Sequence, residues 1–143
     1  MLEERLSNVV LKGFYNVYHE HGHGFLEPVY ANALAVELQY LGVDVRREVP
    51  VTIHHRGTEV GLYRVDLLVE DRILVEVKAH RMLVEADQRQ LINYLKATSY
   101  EVGFLLNFGP KPAFLRRILS RDRRHSGQPH CTHHEPREVR ESR

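Results

Sequence analysis

Between Glu3 and about His21, Leu6, Val9, Val10, Phe14 and Val17 recur at spacings of three and four, which predicts an amphipathic helix. Gly22-His23-Gly24 ends it, because glycine enters positive φ without strain. A second helix is predicted from Glu27-Pro28, where the missing proline N–H costs nothing, through Tyr30, Leu34, Leu38 and Leu41 to Gly42. Past Gly42 the spacing changes to alternation: Val43, Val45, Val49, Val51 and Ile53 interleave with Asp, Arg, Glu and Thr, as in a strand with one wet face. Arg56-Gly57-Thr58 reads as a turn, 60–69 as a second strand and 73–79 as a third, joined by Glu70-Asp71-Arg72. Three strands linked so tightly form an antiparallel meander. Helical spacing returns over 85–97 with Ala86, Leu91, Ile92 and Leu95, and the apolar run 102–108 predicts a strand buried on both faces. Phe114, Leu115, Ile118 and Leu119 predict a last short helix.

The expected order is α-α-β-β-β-α-β-α. This is an α/β (α+β) domain whose mixed sheet joins a meander to a crossover strand, with flanking helices. At 143 residues the chain has room for one core. Beyond Ser120 the residues turn to Arg, His, Ser, Glu, Gly and Pro, so 1–120 is read as the domain and 121–143 as a basic, His-rich disordered tail. No apolar run is long enough for a membrane span, and the acids at Glu3 and Glu4 are unlike a signal peptide. The single cysteine, Cys131, excludes an internal disulfide, and a reducing cytoplasm is expected. A homodimer suits so small a domain, but no residue pattern selects one.

Net charge is +1, unevenly spread. Residues 1–110 hold 11 Lys/Arg against 15 Asp/Glu, a balance of −4, while 111–143 hold 9 against 4, a balance of +5. Nucleic-acid affinity comes largely from neutralised phosphates, so the acidic body argues against a strong body-driven grip on DNA.

The candidate chemistry lies in the meander. Asp66 interrupts the apolar run of the second strand, and Glu76 and Lys78 interrupt that of the third. Alternation puts Glu76 and Lys78 on one face and Val75 and Val77 on the other. If residues 70–72 form a three-residue loop, positions pair so that their numbers sum to 142, and Asp66 lies across from Glu76. A two-residue turn would set Asp66 against Val75 instead. Two carboxylates so close raise each other's pKa unless a cation separates them, and oxygen ligands select a hard ion, Mg²⁺ or Mn²⁺. Lys78 could then orient a water or stabilise phosphate charge. The plain alternative is a salt-bridged face with Lys78 or Arg64. Gln90 and Tyr94, at i and i+4 on the following helix, share a face that could be turned toward the acids. Glu27 is either a third acid for the same site or a favourable charge at a helix N-terminus.

Together these blocks resemble a known family. Gly24-Phe25-Leu26-Glu27-Pro28-Val29-Tyr30 matches the GxxExxY signature, and Tyr63-Arg64-Val65-Asp66, Val75-Glu76-Val77-Lys78, Gln90-Leu91-Ile92-Asn93-Tyr94 and 102–109 follow in that family's order. The GxxExxY proteins are placed in the PD-(D/E)XK nuclease-like superfamily, so the resemblance implies a restriction-endonuclease-like fold. It also implies that Asp66 and Glu76 bind metal, Lys78 is the catalytic lysine and Glu27 is the acid supplied by a preceding helix. Gln90 and Tyr94 resemble the substrate-positioning QxxxY motif of RecB-type exonucleases. Two departures stand out: Val65 replaces a common proline, and Asp87 occupies a position where many relatives carry histidine.

Other patterns are weaker. His19-Glu20-His21-Gly22-His23 reads as a solvated helix end, and His130-Cys131-Thr132-His133-His134 is too crowded for the usual zinc spacings. The expectation is a Mg²⁺-dependent nuclease-like protein hydrolysing DNA, with RNA second. The rival is a non-catalytic nuclease-fold module that binds nucleic acid or a protein partner.

Overall fold

The computed structural model describes residues 3–121 and 138–141. Two helices, α1 (Glu4–His21) and α2 (Glu27–Tyr40), precede strands β1 (Val45–His55), β2 (Thr58–Val69) and β3 (Ile73–Lys78). Helix α3 (Glu85–Lys96) leads to β4 (Val102–Phe108) and β5 (Pro112–Ile118), and β6 (Glu138–Glu141) completes the order. The strands form one six-stranded sheet in the order β1-β2-β3-β4-β5-β6. All neighbours are antiparallel except β3 and β4, which α3 joins as a parallel crossover. The mixed sheet and its flanking helices follow the expected architecture.

The hairpin between β2 and β3 sets the register of the candidate site. Leu67 pairs with Val75, Leu68 with Leu74 and Val69 with Ile73, so each pair sums to 142. Glu70 and Asp71 both take positive φ in the three-residue loop. That loop length puts Asp66 and Glu76 next in line, across from one another.

The sheet is covered differently on its two sides. Leu6, Val10, Phe14 and Val17 of α1 and Tyr30, Leu34 and Leu38 of α2 pack on Ile73, Val75, Val77, Phe104 and Leu106. Opposite, Leu91 of α3 meets Leu105 and Leu115, while Tyr94 and Leu95 meet Leu68 and Leu74.

One expected element is wrong: the last short helix is the strand β5. It pairs along its whole length with β4, from Val102↔Ile118 to Phe108↔Pro112, after Gly109-Pro110-Lys111 turns the chain back. Phe114, Leu115, Arg116 and Arg117 are all buried, so the strand has no wet face to produce alternation. Glu138–Glu141 falls inside the segment read as a tail, yet it pairs with β5 from Ala113↔Glu141 to Arg116↔Glu138. Residues 122–137 of that segment, with Cys131 and its neighbouring histidines, lie outside the described residues. Among the described residues, no helix is long and apolar enough to cross a membrane.

Candidate active site

The expected acids meet where β2 and β3 part. Beyond the Leu67–Val75 pair, side chains take over the strand-to-strand bonding. The Val77 N–H donates to Asp66 Oδ2 at 2.7 Å, and the Asp66 N–H donates to Glu76 Oε1 at 3.2 Å. Each carboxylate is therefore anchored to the opposite strand by a backbone amide, which fixes its orientation. Lys78 follows on the same face, with Nζ 4.0 Å from Glu76 Oε2 and donating to Gln90 Oε1 at 3.2 Å. Helix α3 thus holds the lysine through the glutamine that the sequence singled out.

Glu76 is buried at 8% exposure, and Asp66 is partly covered. Burial and the Asp66 charge push the Glu76 carboxyl up to about 8, against a smaller downward pull from the Asp66 amide and Lys78. Asp66 is also raised, chiefly by burial, with the Val77 amide opposing and Glu27 and Glu48 adding repulsion. The Tyr94 phenol is raised by burial and by the charges of Glu76, Tyr63 and Asp66. Two raised carboxyls facing each other are a charge deficit that a hard cation would relieve. The oxygen-only donors fit such an ion, which takes one or two protein carboxylates and completes its shell with water. Among the described residues, however, no three His, Cys, Asp or Glu side chains are gathered into a metal-binding cluster.

Glu27 approaches from the first turn of α2. Its Oε2 accepts the Ala79 N–H at 3.4 Å and lies 3.4 Å from His80 Nε2. The Gly24…Glu27…Tyr30 spacing has a clear local logic. Gly24 sits at φ 116°, where a side chain would be strained. Tyr30 is fully buried and stacks on Phe108 at 4.3 Å. Its hydroxyl donates to Gly22 O at 2.8 Å and accepts the Phe25 N–H at 3.2 Å. The tyrosine clamps the loop that delivers the glutamate.

His80, Asp87 and Asn107 were not picked out as site residues by sequence reasoning. His80 bridges two acids, with Nε2 facing Glu27 and Nδ1 lying 3.6 Å from Asp87 Oδ2. Asp87 also accepts the Val84 N–H at 2.9 Å, tying the first turn of α3 to this bridge. The available signal was parity: His80 continues the 76, 78, 80 alternation. Asn107 binds the same loop twice, accepting the His80 N–H at 2.9 Å and donating to the His80 carbonyl at 3.0 Å. Gly109 leaves room for this crossing, since a Cβ there would come within 2.3 Å of the His80 carbonyl. Glu48, at φ 51° and close enough to perturb Asp66, was also overlooked because it sits on an exposed strand position. The triplet His19, Glu20 and His21 lies in a separate groove between α1 and α2.

A mixed sheet with a parallel crossover, and acids on the strands at its centre, defines a restriction-endonuclease-like fold. A family model of the PD-(D/E)XK nuclease superfamily matches residues 4–118, and the chain belongs to that superfamily. No curated protein matches the chain. Among solved structures, the crystal structure of SSO0001 is similar at 19% identity and a TM-score of 0.45, over 80% of this chain and 58% of that one. The chain thus spans a little over half the length of that protein.

Proposed function

We propose that the protein is a GxxExxY-type nuclease that hydrolyses phosphodiester bonds of nucleic acid, DNA in preference to RNA, with Mg²⁺ or Mn²⁺. The observation that carries this reading is the pair Asp66 and Glu76, each oriented by an amide of the opposite strand, with Lys78 on the same face. Asp66 and Glu76 would hold the ion, and each keeps one oxygen that no backbone amide engages among the described residues. Glu27, whose charge acts on Asp66, would be the third acid available to the ion. When bound, the ion supplies Lewis-acid polarisation of the phosphate and lowers the pKa of water.

The remaining work falls to the chain itself. Lys78 places a positive charge beside the acids, where it can orient the attacking water or balance charge on the phosphate oxygens. Gln90 holds the lysine in that position, and the buried Tyr94 stands one turn further along the same helix. His80 restrains Glu27. A non-catalytic binding module is the second reading, favoured by the −4 balance of residues 1–110, from 11 Lys/Arg against 15 Asp/Glu, and by the lack of a three-acid cluster among the described residues.

Cleavage of labelled single- and double-stranded oligonucleotides across a Mg²⁺ and Mn²⁺ titration separates the two. The enzyme reading expects metal-dependent cleavage that Glu76→Gln lowers by more than about 100-fold, the order expected when one charge-stabilising group is removed. Metal-independent binding with no cleavage under any condition would leave the module.

A further inference from the structure

A cleft of about 740 Å³ opens between α3 and the β1–β2 hairpin, and Gln90 and Tyr94 belong to both its wall and the acid site. Arg89, Lys96 and His54 line it, and among the described residues no aspartate or glutamate does. That is a local reversal of the −4 balance over residues 1–110, from 11 Lys/Arg against 15 Asp/Glu. Among the described residues Arg89 has Glu85, at 4.0 Å, as its ion partner, in an exposed i,i+4 pair that a phosphate can displace.

The same wall carries an aromatic surface. Tyr63 is 50% exposed, and its ring centroid lies 5.7 Å from that of the buried Tyr94 at a 56° tilt. The tilt means that Tyr94 backs the Tyr63 ring without covering it in a parallel stack. A half-exposed ring in a cleft that cations also line is an arrangement that unpaired bases use: the ring stacks a base and the cations follow the phosphates. A duplex offers no comparable match, because its bases are stacked on one another and present only their edges in the grooves.

We infer that this cleft binds an unpaired polynucleotide strand, stacking a base on Tyr63 and placing phosphates at Arg89 and Lys96. The strand's backbone then passes Gln90 and Tyr94 to reach Asp66 and Glu76. The delivery step rests on the proposed reading of those acids as a hydrolytic site; occupancy of the cleft does not.

The test is fluorescence anisotropy of the full chain with labelled oligo-dT and oligo-rU of about 20 nucleotides, and with a duplex of equal length, in EDTA to prevent cleavage. One or both single strands should bind at least about tenfold tighter than the duplex. Tyr63→Ala should weaken that binding by about 5- to 100-fold, whereas Tyr63→Phe, which keeps the ring, should retain it. Arg89→Ala combined with Lys96→Ala should flatten the salt dependence by roughly 0.7 per lost phosphate contact. Equal or tighter duplex binding would overturn the inference, as would wild-type affinity in Tyr63→Ala. The two readings fail separately. If Glu76→Gln cleaves normally while Tyr63 still governs strand binding, the catalytic reading falls and the cleft stands. If Glu76-dependent cleavage occurs but Tyr63→Ala binds normally, the reverse holds.

Discussion

The two sides of β3 are built to opposite rules. Ile73, Val75 and Val77 face α1 and α2, are essentially fully buried, and touch only apolar partners in that cluster. Leu74, Glu76 and Lys78 face α3, where a buried carboxylate, a partly buried ammonium and the Gln90 amide share the space. One strand of six residues therefore anchors the core with one set of side chains and holds charge out of water with the other. Because the sides alternate residue by residue, the rigid half positions the costly half at no extra length.

The contrast is sharpened most by a pair of substitutions measured for both activity and stability. Glu76→Gln should remove metal-dependent cleavage by more than about 100-fold. It should not destabilise the metal-free protein at neutral pH, since burial already favours the uncharged carboxyl there and Gln Oε1 can still accept the Asp66 N–H. Phe104→Ala, on the α1–α2 side and fully buried, should cost about 3–5 kcal/mol in denaturant unfolding through the cavity it leaves. A large stability loss in Glu76→Gln would break the comparison.

Stability against pH gives the next largest effect. The Glu76 carboxyl moves from 4.5 up to about 8 on folding, so between those values the folded chain binds more protons than the unfolded one. Stability of the metal-free protein should therefore fall as pH rises through that window, by a few kcal/mol. Glu76→Gln should flatten the slope, and added Mg²⁺ should raise the melting temperature more at pH 8 than at pH 6. A pH-independent melting temperature in the wild type would count against the buried charge.

The smallest effect concerns His80. Its removal as His80→Ala should leave the core intact and loosen Glu27, weakening Mg²⁺ affinity by about tenfold, the lower end of what lost supporting contacts cost. Isothermal titration with Mg²⁺ or Mn²⁺ reads this directly, and unchanged affinity would separate Glu27 from metal binding.

Much of this was legible in the residues because it is local. The three-residue loop at Glu70-Asp71-Arg72 fixes the hairpin register, and the register alone sets Asp66 across from Glu76. The i,i+4 spacing that links Gln90 to Tyr94 likewise follows from helix geometry. The strand β5 was not legible, since Phe114/Ile118 and Leu115/Leu119 mimic helical spacing while burial on both faces erases alternation. Only Gly109-Pro110 hinted that the chain turns back on β4. The His80 bridge was hidden for another reason: its partners lie 53 positions upstream at Glu27 and 7 downstream at Asp87, so no single window contains it. Glu48 went unnoticed because an exposed charged residue is ordinary on a strand and alternation carries no signal for its left-handed backbone.

The double contact between Asn107 and the His80 backbone has a consequence for how the chain leaves the sheet. A primary amide carries the same donor and acceptor as a peptide group, so Asn107 offers its side chain as a surrogate rung where the main-chain ladder of β3 and β4 stops at Lys78↔Asn107. Aspartate at this position would match its shape and lose the donor; leucine would fill its volume and lose both functions. The segment bearing His80 is consequently steered across the strand ends as if β3 ran two residues further, and the imidazole inherits the precision of the sheet rather than the freedom of a loop.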